Sequence, residues 1–155
     1  RIIANIADIY SRIDEPENEF KMLQRSIELG SKNPSVYSNI GIKYFKKKDI
    51  DNALNSFKTA ISIDSFHAIS HACLGLCYTQ LKRYSEAILH LEKALKLNMV
   101  DAQILHATAD NYVALNNIPK AINFYKLYLQ FSPKDTIVQD RLRKLIECNK
   151  IRNNK

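Results

Sequence analysis

Leu74-Gly75-Leu76-Cys77-Tyr78, then Ala87-Ile88-Leu89-His90-Leu91 and Ala94-Leu95, is the stretch whose spacing decides the fold. Leu74, Cys77, Tyr78 and Leu81 recur at steps of three and four, which sets them on one face of a helix. After the polar break at Lys82-Arg83, residues Ala87, Ile88, Leu91, Ala94 and Leu95 repeat that rhythm on a second helix. The pair then recurs along the chain. Tyr10, Tyr44, Tyr78 and Tyr112 stand 34 residues apart, and half of the eight tyrosines lie on this comb.

Other columns keep the same register without insertion or deletion. They are Ala7, Gly41, Gly75, Ala109; Ile6, Ile40, Leu74, Thr108; Glu19, Ala53, Ala87, Ala121; Leu23, Phe57, Leu91, Tyr125; Ser26, Ala60, Ala94, Tyr128; and Ile27, Ile61, Leu95, Leu129. The pattern predicts helices over residues 1–13, 17–29, 34–47, 50–62, 68–81, 84–96, 102–115 and 118–130. Pro34 stands at a helix start, where its missing N–H does no harm, and Pro133 stops the last paired helix. A mid-helix glycine costs roughly 1 kcal/mol against alanine. Gly41 and Gly75 therefore need a compensating gain, which close approach of the two helices of a pair supplies. Tyrosines and leucines then fill the space between pairs, and stability comes from stacking.

These residues resemble the tetratricopeptide repeat, a 34-residue pattern of hydrophobic–Gly–x–x–Tyr followed by Ala, an aromatic, Ala and Pro. Leu74-Gly75…Tyr78…Ala87…Leu91…Ala94 and Ile40-Gly41…Tyr44…Ala53…Phe57…Ala60 carry the likeness. The fourth unit departs at Thr108 and Tyr128, and the first at Glu19, with Pro16 in its turn. The resemblance implies an all-α, right-handed α-solenoid of antiparallel helix pairs. It would be a single array over residues 1–149, with repeats at about 1–33, 34–67, 68–101 and 102–135. A capping helix follows at about 136–149, with Ile137, Val138, Leu142, Leu145 and Ile146 as its apolar stripe. Arg143 fills the column that must be small, so no further helix can pack there and the array ends. Residues 150–155 are expected to form a flexible basic tail.

Composition agrees with this reading. Hydrophobic residues at 46% and charged residues at 25% match a globular chain, and three glycines with four prolines are too few for an all-β fold. The net charge of +7 is a chain average and not a patch. No apolar run approaches the ~18 residues that mark a membrane-spanning helix. Three cysteines, an odd number, point to reduced thiols in the cytoplasm or another reducing intracellular compartment. A chain opening at Arg1 reads as a fragment or a processed product.

The resemblance implies a partner protein or peptide lying along the concave wall formed by the first helix of each pair. The columns facing that wall give Arg12; Ser38, Ile42, Phe45 and Lys46; Ile69, Ala72, Leu76, Thr79 and Gln80; and His106, Asp110 and Val113. The middle is apolar and the rims are mixed in charge, which suits an apolar segment carrying some charge. Relatives of this family clamp a chaperone's C-terminal carboxylate with basic and amide side chains. The matching places here hold Ala4, Asp8, Asn39, Ile69 and Cys73, or one repeat later Ser38, Ile42, Cys73, Gln103 and Ala107. Neither set holds a cation, so such a tail is not the expected ligand.

Other chemistry finds little support. His67, His71, Cys73 and Cys77 have paired i, i+4 spacings, but at about 100° per residue Cys73 points away from His71 and the four do not converge on a metal. No phosphate loop or nucleophile elbow occurs, and His106 with Asp110 reads as a surface contact. No cofactor and no intrinsic catalysis are expected. Lys46, Lys47 and Lys48 offset a helix's carbonyl end; with Lys43, and beside Phe45, they leave RNA binding as a minor reading. Two further alternatives are the substrate-recruiting arm of an enzyme whose catalytic domain lies outside this chain, and self-association through Met99, Phe124 or Leu127.

Overall fold

The computed structural model describes residues 16–153, within which eight helices and no strands occur. They are α1 (Pro16–Glu28), α2 (Pro34–Lys46), α3 (Ile50–Ile63), α4 (Ala68–Gln80), α5 (Tyr84–Lys96), α6 (Ala102–Ala114), α7 (Ile118–Phe131) and α8 (Thr136–Asn153). Each falls within a residue or two of its sequence expectation except the last. Residues 150–153 continue α8 past the expected boundary at 149. The helix expected over 1–13 lies outside the described residues.

The same bonds close every pair. The carbonyls of Tyr44, Tyr78 and Tyr112 accept from the N–H of Asp49, Arg83 and Asn117 at 2.9–3.0 Å. The residue just before each of those donors, Lys48, Lys82 or Asn116, takes a left-handed conformation with φ near 60°. This wraps the orphan carbonyls of the leading helix and turns the chain into the trailing one. The comb of tyrosines therefore marks helix ends through its backbone as well as core through its rings. Starts are capped by side chains: Asn33, Asp49, Asp101 and Asn117 each accept a backbone N–H of the first turn. Asp135 does the same for Val138 at the start of α8.

Small columns let the helices of a pair meet. A methyl on Gly41 would stand 2.7 Å from the Phe57 ring, and one on Gly75 would stand 2.6 Å from Leu91 Cγ. Phe57, Leu91, Ala53, Ala87 and Ala121 are wholly buried. Glu19, the exception in the alanine column, is buried too and forms an ion pair with Lys43 of α2. Thr108 is accommodated by donating its hydroxyl to the Ile104 carbonyl at 2.7 Å.

Leading helices α2 and α4 touch, as do α4 and α6, while no contact of comparable extent joins the trailing helices. The stack is tighter on its leading side, and that side is the concave one. At the far end α8 packs on α7 through Val138, Leu142 and Leu145. Ile137, expected in that stripe, is instead 80% exposed, because it falls on the opposite flank of the first turn. Arg143 lies on the outer face, paired with Asp140 at 3.0 Å.

Candidate partner-binding wall

The concave wall is assembled from α2, α4 and α6. Ile69 is its most prominent apolar side chain at 45% exposure, and Ile42, Phe45 and Leu76 are half-buried, rooted in the core beneath. Lys46 and Gln80 stand exposed at the rim, and Val113 is half-buried beyond them. Thr79 is tied down: its hydroxyl donates to the Gly75 carbonyl at 3.0 Å and accepts from Asn111 at 2.7 Å, joining α4 to α6.

Two expected wall residues are not on it. Ser38 and Ala72 are buried, because their small side chains sit where the leading helices touch. Among the described residues the Ser38 hydroxyl has no hydrogen-bond partner. Arg12 lies outside the described residues.

The end of the wall is occupied from within. Asp110 accepts from the Tyr125 hydroxyl and from Arg141 of α8 at 2.8 Å, and lies 3.4 Å from His106 Nδ1. Burial and the bond to Asp110 push the Tyr125 hydroxyl upward. His106 is flanked by the rings of Tyr125 and Tyr128 at 5.9 and 5.1 Å. His106 and Asp110 are thus an anchor for the last two helices, a role invisible without the position of Arg141.

A pair of histidines lies between α4 and α5. His71 Nε2 faces the Ser65 carbonyl at 3.2 Å, so it carries the proton. Its Nδ1 then accepts from His90 Nδ1 at 3.0 Å. With both His71 nitrogens engaged and Cys73 and Cys77 held as thiols by burial, up to about 11 and 12, this stretch works as packing. Burial, then the nearby His71 and Lys58, hold His90 down to about 4, with Glu86 opposing; Tyr78 stacks on it at 5.7 Å. The unfolded chain protonates this group near 6.5, so stability is complete above pH 6.5 and falls as pH drops towards about 4. Because the ring is half-exposed the loss is expected to be about 1–2 kcal/mol. Urea unfolding at a series of pH values checks it: His90→Gln should flatten the profile between those limits, and an unchanged slope would refute the assignment.

Residues 34–67 and 68–98 each match a family model described as the tetratricopeptide repeat. The chain is built of tetratricopeptide repeats. Anaphase-promoting complex subunit cut9 of Schizosaccharomyces pombe is 30% identical over 141 residues, 86% of this chain and 21% of that protein. Serine/threonine-protein phosphatase 5 of Homo sapiens is 29% identical over 108 residues, 70% of this chain and again 21% of the relative. The chain therefore spans about a fifth of the length of these relatives. Among solved structures, the Cut9–Hcn1 hetero-tetramer of the APC/C superposes with a TM-score of 0.77 at 25% identity, over 92% of this chain and 29% of that one. The tetratricopeptide assignment covers the two units that match the pattern most fully, and the geometry carries the same stacking through the looser fourth.

Proposed function

We propose that this tetratricopeptide array is a protein-interaction module that holds an apolar partner segment along its leading-helix wall. The carrying observation is the run Ile42, Phe45, Ile69 and Leu76, partly or openly exposed on the concave side with Lys46 and Gln80 at the rim. Likeness to cut9, a subunit of the anaphase-promoting complex, supports a place in a multisubunit assembly. A chaperone carboxylate is a poor fit, since Asn39, Ile69, Cys73, Gln103 and Ala107 at the relevant places carry no positive charge. The array itself is assigned no catalysis. Likeness to phosphatase 5 favours a second reading, in which the array is the recruiting arm of an enzyme encoded beyond it. Among the described residues no helix is long and apolar enough to cross a membrane.

The test is partner capture by the wild-type array and by Phe45→Glu/Leu76→Glu, quantified by mass spectrometry. Specific partners should fall roughly tenfold or more, as for loss of a binding hot spot, while far-ultraviolet circular dichroism stays helical. Capture that survives the double substitution would move the site off this wall.

A further inference from the structure

The stack sorts the charge that the sequence shows only as an average of +7. Leading helices all run towards one edge, where each turns into its trailing partner, and among the described residues that edge is basic. The α2–α3 turn carries Lys46, Lys47 and Lys48, and the α4–α5 turn carries Lys82 and Arg83. The α6–α7 turn brings Lys120. Arg152 bonds to Asn116 of that turn at 3.1 Å, which sets the end of α8, with Lys150, on the same edge. Apart from the Lys43–Glu19 pair, the carboxylates there are Glu17, Asp49, Asp51 and Glu86, half as many as the cations. On the opposite edge Lys32, Lys93, Lys96 and Lys134 nearly balance Asp64, Asp101 and Asp135, beside the Arg25–Glu28 pair.

Two of the four carboxylates on the basic edge are already engaged. Asp49 accepts from the Asn52 N–H and side-chain amide at 3.3 and 2.8 Å, and Glu86 pairs with Arg83. Among the described residues Lys46, Lys48, Lys82 and Lys150 have no ion-pair partner. The aromatic faces on this edge are covered. Lys47 lies over Phe20 at 4.6 Å, Arg83 over Tyr78 at 4.7 Å and Lys120 over Tyr112 at 4.9 Å. Its open apolar surface is aliphatic: Leu81 and Leu115, just past the ends of α4 and α6, are 40% and 45% exposed.

From this we infer that the turn edge binds an extended acidic segment of another protein with an apolar residue at every third position, a site separate from the concave wall. Leu81 and Leu115 hold the same place in neighbouring repeats whose leading helices touch. They therefore stand about one helix-packing distance apart, roughly 8–10 Å. A polyproline II segment has three residues per turn and rises about 3.1 Å per residue, so it returns a side chain to the same face every ~9 Å. Successive apolar residues of such a segment rest on Leu81 and Leu115. Its carboxylates then meet Lys48, Lys82 and their neighbours, which steers encounter and fixes register. A nucleic-acid strand suits the edge less well, because no open ring is offered for its bases to stack on.

The probe is a fluorescein-labelled peptide of about 12 residues with Glu-Glu-Leu repeated, roughly 37 Å long as polyproline II. Its twin replaces every leucine by serine, and an oligouridylate of the same length supplies a polyanion without apolar side chains. Fluorescence anisotropy should show saturable micromolar binding of the leucine peptide, and at least roughly tenfold weaker binding of the twin and of the RNA. Lys48→Glu/Lys82→Glu and Leu81→Ser/Leu115→Ser should each weaken the leucine peptide about tenfold or more while circular dichroism stays helical. Should a variant lose helix, Lys48→Gln/Lys82→Gln replaces it, with a loss of about threefold or more expected. Phe45→Glu/Leu76→Glu on the concave wall should leave this binding unchanged. Equal binding of the two peptides, RNA binding as tight as the peptide's, indifference to the edge variants, or loss on the wall variant would overturn the inference.

Discussion

Lys43→Met is expected to lower the unfolding free energy by about 3 kcal/mol, because it strands a buried carboxylate. Glu19 sits where three other repeats carry alanine, and its side chain is only 7% exposed. Lys43 is its counter-charge, reaching across from α2 with 19% of its side chain still open to water. That difference makes the two single substitutions unequal. Glu19→Ala leaves a lysine that can swing outward, and should cost about 1 kcal/mol, close to an exposed pair. The double variant Glu19→Ala/Lys43→Met restores the alanine column and should return to wild-type stability or above it, since apolar replacement of a buried pair is often neutral or favourable. Urea unfolding followed by circular dichroism measures all three. Stability in a stacked array is a sum over neighbours, so hydrogen exchange should place the Lys43→Met loss in α1 and α2 first. Equal stability of the Lys43→Met and double variants would refute the account.

Phe57→Ala is expected to cost about 3–5 kcal/mol, the range for removing a buried aromatic and leaving its cavity. The ring is fully buried and fills the space that Gly41 leaves on the facing helix. Its effect should reverse the sign of a second substitution. In the wild type, Gly41→Ala puts a methyl 2.7 Å from the ring edge and should destabilise by about 1 kcal/mol despite better helix propensity. In the Phe57→Ala background the same methyl enters the vacated space, and propensity alone then gains about 1 kcal/mol. A double-mutant cycle by thermal or urea unfolding measures this coupling. Additive effects would mean that the glycine is not there for the ring.

The helices were legible because their signals are local and repeated. Tyr44, Tyr78 and Tyr112 at a fixed spacing, with a small residue three places before each, survive the single departures at Glu19 and Thr108. The wall was legible only in part. Helical periodicity gives the direction of a side chain about its own axis, and on that basis Ser38 and Ala72 point the same way as Ile42 and Leu76. How closely α2 and α4 approach is a property of the stack, and that approach buries the two small residues while the longer ones reach past it. Asp110 shows the same limit: it faces the wall by register, yet Arg141, 31 residues further on, holds it.

The sequence by itself determined the repeat, its period, the helix boundaries and the apolar character of the leading face, since each rests on residues within one turn or one repeat of each other. Tertiary structure decided which of those facing residues stay open, that Lys43 neutralises Glu19, and that the trailing helices part to leave a trough lined by Val100 and Phe131. These depend on distances between helices, which the volumes of the buried side chains set together and no single column records.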